Sequence, residues 1–203
     1  YENFGEKKDE LKDLVVFGSS TEKNAVTLAE YVSRMKEGQE GIYYACGESA
    51  EKIDAQPQLE KLKSDGYEIL YCTQRVDEFC LMTLGEYDKK KFVNALKAGE
   101  HSDSEEEKNE DVKSLLDDFK KLLGNKVHDV RMSSRLVSHA VCLTAEGEVS
   151  IEMERVFRAS GEGVRAEKVL ELNPEHELIK KLIKRHKSGE GFETLAFTLY
   201  DEA

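Results

Sequence analysis

The chain has 203 residues, of which 39% are hydrophobic and 35% are charged, and its formal net charge is −12. This length and composition indicate one large or two small globular domains. The acidic balance argues against nucleic acid as a partner, because phosphate binding needs a basic face. The longest apolar run is far shorter than a bilayer span, so a membrane partner is not expected either.

The first predicted segment, residues 1–38, is a helical connector. Within it, Thr27 is followed three residues later by Glu30, in the order T-L-A-E. This spacing is a capping box, in which each side chain satisfies a backbone donor at the start of a helix. We expect that helix to run from Leu28 to Lys36 and to stop near Gly38.

Residues 39–99 follow as a small α/β subdomain. β-branched and aromatic runs predict three strands, and apolar spacing predicts helices between them. Strands that alternate with helices imply a small, mostly parallel, three-stranded sheet. The predicted strands are Gly41–Cys46, Tyr67–Cys72 and Lys91–Ala95, and the helices include Val76–Leu84.

A change in composition separates this part from the next. Residues 100–111, EHSDSEEEKNED, contain no aliphatic or aromatic side chain. Such a stretch is typical of a solvated, acidic linker. As an alternative for its last few residues, they form the charged first turn of the helix that follows.

Residues 112–203 are predicted to form an α+β domain. A stripe of leucines and Phe119 predicts a helix over Val112–Leu123 that Gly124 ends. Asn173 before Pro174 indicates the start of another helix. The other predicted elements are strands over Val127–Met132, Ala140–Thr144 and Lys168–Leu172, a helix over Val149–Ala159 and a last helix that begins near Glu190.

No motif for catalysis or for a metal is present in the sequence. It contains no glycine-rich phosphate loop and no nucleophile elbow, and its five histidines lack the spacing of metal ligands. The cysteines lie in apolar or strand-like stretches without a C-x-x-C pair, which predicts reduced, buried thiols of a cytoplasmic protein rather than disulfides or metal ligands. These are Cys46, Cys72, Cys80 and Cys142. We therefore expect no catalytic residue and no metal site, and roles in binding and assembly.

Both ends suggest a piece of a longer protein. The sequence starts with Tyr1 rather than Met. From Phe192 to Ala203 the apolar residues keep helical spacing, and neither Gly nor Pro ends the pattern.

One long motif resembles a known family. Leu28–Tyr44 reads LAEYVSRMKEGQEGIYY, which closely resembles the signature L-x-x-Y-x-x-R-M-K-x-x-Q-x-x-I-Y-Y of heat-shock-protein-90 chaperones. Further steps of that family follow in the same order. These are Val76-Asp77-Glu78-Phe79, Ser134-Arg135-Leu136 and the run ELNPEH at 171–176. The resemblance extends over essentially the whole chain and is greatest to bacterial members.

The resemblance implies an ATP-dependent, homodimeric chaperone. This chain would cover the end of its middle segment and most of its carboxy-terminal dimerisation domain. The site for ATP and Mg would lie upstream of Tyr1, so we expect neither a cofactor nor enzyme activity in the chain itself. The implied partners are unfolded or partly folded client proteins and a second copy of the chain, with only a weak dimer or a monomer once the helices after Ala203 are missing.

The resemblance also suggests which residues bind. Val149, Met153, Val156 and Phe157 follow helical spacing and would share one face of the predicted helix. Ordinary core packing is the alternative explanation, but the family's corresponding helix points an apolar face toward clients, and Met adapts to many surfaces. A second candidate is Glu78 with Phe79, for which packing of Phe79 in the core is again the alternative. The residues implied in dimerisation are Phe192, Leu195, Ala196 and Leu199.

Two other functions remain open at this point. A small α/β enzyme domain would bind a metabolite beyond its strand ends and would need a polar cluster there. A purely structural adaptor would bind neither metabolites nor unfolded proteins.

Overall fold

The computed structural model describes residues 6–98, 109–188 and 192–203. The chain forms two compact units, Tyr1–Leu96 (unit 1) and Lys97–Ala203 (unit 2). Both contain helices and a mixed sheet, which confirms the predicted α/β and α+β class. The predicted linker lies mostly outside the described residues. Its last part confirms the alternative, because Asn109 accepts a hydrogen bond from the Asp111 backbone N–H (3.0 Å) and caps the helix that begins at Glu110.

Unit 1 is built around a six-stranded sheet. Three adjacent strands at its centre are parallel to one another, and the other strand pairs are antiparallel. The strand order is β2-β1-β4-β3-β6-β5. In chain order the elements are α1 (Lys8–Leu11), β1 (Val16–Ser19), β2 (Val26–Thr27), α2 (Leu28–Ser33), β3 (Gly41–Cys46), α3 (Ala50–Asp54), a 3-10 turn (Pro57–Leu59), α4 (Glu60–Ser64), β4 (Leu70–Cys72), α5 (Asp77–Leu84), β5 (Glu86–Tyr87) and β6 (Lys90–Asn94).

The prediction of a three-stranded sheet was wrong. The three expected strands form the parallel centre as β3, β4 and β6, but β1, β2 and β5 extend the sheet on both sides. Two of these additions, β1 and β2, lie in the segment predicted to be a helical connector. They are only two to four residues long, too short to show a periodic pattern in the sequence.

The predicted start of α2 is confirmed. The Glu30 carboxylate accepts from the Thr27 backbone N–H (2.8 Å), and the Thr27 hydroxyl accepts from the Glu30 N–H (3.2 Å). The helix ends at Ser33, three residues earlier than predicted. Gly38 then turns the chain with φ of +81°, which glycine adopts without steric cost.

The residues of the long sequence motif meet in one hydrogen-bond cluster. The Tyr31 hydroxyl donates to the Glu68 carbonyl (2.8 Å) and accepts from the Gln39 side-chain amide and the Tyr43 N–H (both 3.0 Å). The Arg34 guanidinium binds both carboxylate oxygens of Glu68, at 3.0 and 2.7 Å. The motif thereby fastens α2 to β3 and to the chain that enters β4, so its recognisable residues hold the fold of unit 1.

Unit 2 packs three helices against a three-stranded sheet. The strand order is β7-β9-β8, with β7 and β9 parallel and β8 antiparallel to β9. Along β9, Leu170 and Leu172 enter the apolar core with α6, α8 and α9, while Glu171 points to the opposite face. The elements are α6 (Glu110–Leu123), a 3-10 turn (Gly124–Lys126), β7 (Asp129–Met132), β8 (Val141–Glu146), α7 (Ile151–Ala159), β9 (Glu167–Leu172), α8 (Glu177–Ser188) and α9 (Phe192–Glu202).

The predicted start of α8 at Asn173 was wrong by three residues. Asn173 accepts from the Glu175 N–H (3.0 Å) and forms a turn before the helix. His176 takes the capping position, where its ring nitrogen accepts from the Leu178 N–H (3.2 Å). Asn173 is 1% exposed, and its amide donates to the carbonyls of Val137 and His139. These bonds engage Asn173 with the loop after β7.

Candidate functional site

The predicted client-binding helix is present as α7, but it starts later than predicted. Ser150 caps it, because its hydroxyl accepts from the Met153 N–H (3.0 Å). Val149 therefore lies before the helix, and its assignment to the helical face was wrong. Met153 is 5% exposed, whereas Val156 and Phe157 are half-buried. Met153 therefore lies at the centre of the buried side of α7. Val156 and Phe157 lie at the edge of that side and leave part of their apolar surface exposed.

Glu154 lies beside Met153 on the buried side of α7. The sequence pattern did not identify it as a buried residue. It is 4% exposed. Its carboxylate accepts from the Ala166 N–H (2.9 Å), from Lys168 Nζ (3.1 Å) and from Arg158 Nη2 (2.5 Å). Burial alone raises the pKa of Glu154, but these donors outweigh burial and hold the pKa below its ordinary value. The carboxylate joins α7 to the chain that enters β9.

The second candidate pair lies on α5. Glu78 is 4% exposed, and its carboxylate accepts from the Asn94 amide on β6 at 2.7 Å. Phe79 is half-buried. The sequence did not single out Val76 and Met82, which are each 48% exposed. Val76, Phe79 and Met82 are spaced three residues apart, and this spacing is the signal that could have identified them as one surface.

The residues predicted to dimerise lie on α9, where they pack within unit 2. Ala196 is 0% and Leu199 is 5% exposed, and both belong to the apolar core. Phe192 and Leu195 are half-buried against the same core, and the Phe192 ring meets the Phe119 ring edge to face, with centroids 5.0 Å apart. Their role in dimerisation stays a prediction.

Two motifs that are distant in sequence meet in a buried charge cluster. The Glu171 carboxylate accepts from Arg135 Nε (3.0 Å) and Nη2 (2.9 Å), and from the Ser133 hydroxyl (2.9 Å). The side chains of Arg135 and Glu171 are 17% and 5% exposed. A two-point pair of this kind fixes direction as well as distance. It links the loop after β7 to β9 on the sheet face opposite the leucine core.

The thiols and carboxylates do not form a metal site within the described part of the chain. All four cysteines are free thiols, and Cys80 alone among them is half-buried rather than buried. Within the described ranges, no group of three or more His, Cys, Asp or Glu side chains is arranged to hold a metal ion. No helix in the described part of the chain is long and apolar enough to cross a membrane.

Comparison with known proteins identifies the family of this chain. The family model described as "Hsp90 protein" matches residues 2–203. Proteins named "Chaperone protein HtpG" are similar in sequence to this chain. The protein of Shouchella clausii is 47% identical over 94% of this chain, and that of Bacillus velezensis is 47% identical over 100%. The protein of Bacillus subtilis is 47% identical over 90% of this chain.

The aligned part is 32%, 34% and 30% of these three relatives, so the chain spans about a third of their length. The family match extends over both units and includes the α2 motif and the two halves of the Arg135–Glu171 pair. The chain belongs to the Hsp90 protein family.

Proposed function

We propose that this chain is part of a molecular chaperone and that it supplies binding surface for partly unfolded client proteins. The observation that carries the proposal is the outer side of α5. Val76 at the N-cap of α5 and Met82 within the helix are each 48% exposed, and the half-buried Phe79 lies between them in the sequence. Exposed apolar side chains at fixed positions are suited to apolar segments of a client. The flexible thioether of Met82 adapts to segments of different shape.

The buried side of α5 is bound to the sheet of unit 1. Glu78 anchors α5 to β6 through Asn94. Because a preformed surface loses little conformational entropy on binding, more of the contact energy is available as affinity. In this proposal Glu78 positions the surface from the buried side, and Phe79 contacts the client with its exposed edge.

A second surface is proposed on α7. Val156 and Phe157 leave part of their side chains open, and Met153 supports them from the inward side. Val149 contributes from the loop before the helix, where it is half-buried. An enzyme of small metabolites is not favoured, because the similar proteins are named as chaperones.

The test uses the double variant Val76→Ser with Met82→Ser. Each replacement removes apolar surface that is half exposed, so the fold should persist. At ~25 cal/mol per Å² we expect a loss of about 1–2 kcal/mol in binding, which corresponds to about five- to thirtyfold weaker affinity. The measurement is fluorescence anisotropy of a labelled, reduced and alkylated protein that cannot refold.

The control is Leu14→Ser in the same unit, where Leu14 is 72% exposed and lies outside α5. It should leave the affinity unchanged. Equal affinities of the double variant and the unmodified chain, with equal circular dichroism, would refute the role of α5.

We propose that the chain forms a homodimer only within a longer protein, and that ATP with Mg is bound by parts of that protein outside this chain. Ala196 and Leu199 are buried in the core of unit 2, so these two residues offer almost no surface to a second copy. The chain should therefore be a monomer or a weak dimer at micromolar concentration. A tight dimer in sedimentation equilibrium would contradict this.

A further inference from the structure

Lys97 and Ala98, the first two residues of unit 2, lie beside the last part of β8 and form an isolated β-bridge with it. Lys97 pairs with Ala145 of β8 in a parallel bridge, and the Ala98 N–H donates to the Ala145 carbonyl (2.9 Å). From the other side, Arg135 Nη1 donates to the Lys97 carbonyl at 2.8 Å. Because Arg135 is itself held by Glu171, the backbone of Lys97 is fixed by the charge cluster.

The side chain of Lys97 reaches the loop that leads into α7. Its ammonium donates to the carbonyls of Gly147 (3.0 Å) and Glu148 (2.6 Å). Only residues 147–149 separate the end of β8 from the cap at Ser150. One cation therefore binds two of the three carbonyls in the loop.

This loop needs an external restraint. Gly147 has φ of +73°, and a Cβ at its position would meet nothing closer than Glu167 Oε2 at 3.5 Å. Glycine is free to adopt many other conformations, so the turn is not fixed by its own backbone. A charge-assisted pair of hydrogen bonds is the stronger kind and would select one conformation.

We propose that Lys97 is a positioning residue that sets the start of α7, and with it the orientation of Val156 and Phe157. The ammonium holds the two loop carbonyls, the loop places Ser150, and the Ser150 cap fixes the first turn of the helix. The consequence for client binding rests on the proposed function, whereas the positioning of α7 does not.

The experiment compares the unmodified chain with Lys97→Met, Lys97→Arg and a control, Lys180→Met. Lys180 forms an exposed ion pair with Glu175 on unit 2 (2.7 Å), so the control removes the same type of side chain where it contacts an exposed carboxylate rather than the carbonyls before α7. Hydrogen–deuterium exchange is followed by mass spectrometry for peptides over 147–159. The same four proteins are then titrated onto the alkylated, unfolded probe.

In Lys97→Met, exchange over 147–159 should rise by about fivefold, the effect of losing one net hydrogen bond. Water can then bind the two freed carbonyls, so the effect should stay local. The rest of unit 2 should therefore exchange as before. Lys97→Arg should restore much of the protection, because its guanidinium also donates to carbonyls, and Lys180→Met should change nothing over 147–159.

Unchanged exchange over 147–159 in Lys97→Met would overturn the proposal. So would faster exchange throughout unit 2, because that result would show a general contribution to stability. Faster local exchange with unchanged affinity for the unfolded probe would support the positioning role and would refute the proposed client contact of α7 alone.

Discussion

Replacement of Arg135 by Met tests how much the buried charge cluster contributes to the stability of unit 2. The substitution removes two hydrogen bonds to Glu171 and one to the Lys97 carbonyl. Glu171, which is 4% exposed, would keep Ser133 as its close donor. Removing one partner of a buried pair costs about 3–5 kcal/mol, because the remaining charge stays buried. Because Glu171 keeps the Ser133 donor, we expect a loss of stability at the lower end of this range, about 3 kcal/mol.

The assay is urea unfolding followed by circular dichroism at 222 nm. With a slope of ~1–3 kcal/mol per M, the midpoint of unit 2 should fall by about 1–3 M. The control is Arg155→Met, since Arg155 pairs with Glu152 on the surface with 58% of its side chain exposed. This control should lose less than about 1 kcal/mol.

A second variant separates the cost of an unpaired Glu171 carboxylate from the loss of its hydrogen bonds to Arg135. Arg135→Met combined with Glu171→Gln removes the charge that would be left alone, so it should be less destabilised than Arg135→Met by itself. A loss from Arg135→Met no larger than that of the surface control would refute the reasoning that this pair stabilises unit 2.

Two further predictions concern buried hydrogen bonds. The pKa of Glu154 is below its ordinary value of 4.5, so its contribution is present above that pH and is lost as the pH falls through the lowered pKa. Glu154→Gln should thus unfold at lower urea than the unmodified chain at pH 7, and the difference between their urea midpoints should narrow as the pH falls below 4.5; a constant difference would contradict this. Burial raises the pKa of Tyr31 to about 12, so its hydroxyl remains a donor at neutral pH. Tyr31→Phe leaves the Tyr43 N–H without its Tyr31 acceptor and removes one of the two acceptors of the Gln39 amide, which keeps the Gly41 carbonyl. Thermal unfolding should show a loss of about 1–3 kcal/mol, whereas an unchanged midpoint would count against the cluster.

Local signals in the sequence predicted local structure well. The capping box at Thr27 and the stop at Gly124 depend on residues within one helical turn, and both are present. The strands β1, β2 and β5 were missed because they are only two to four residues long, and β1 also pairs with a segment far away in the chain. Gly18 of β1, for example, pairs with Tyr71 of β4. A short run of residues carries no information about such a partner.

The candidate site was predicted only in outline. The sequence located α7 and α5, but an apolar stripe does not tell which of its members face the sheet. Ser150 rather than Val149 sets the phase of α7. The pairing of Arg135 with Glu171 joins residues 36 apart in the chain, so both motifs were visible in the sequence although their contact was not.

The thiols offer a direct route to the motions of the two units. Cys46 and Cys72 lie side by side on β3 and β4, while Cys142 is fully buried in β8. The neighbouring Cys72 thiol and burial both raise the pKa of Cys46, which keeps that sulfur protonated and unreactive. Alkylation at these sulfurs therefore requires local opening. Rates of modification at Cys46 and Cys142 would report, in one native sample and without an added label, how often each unit opens.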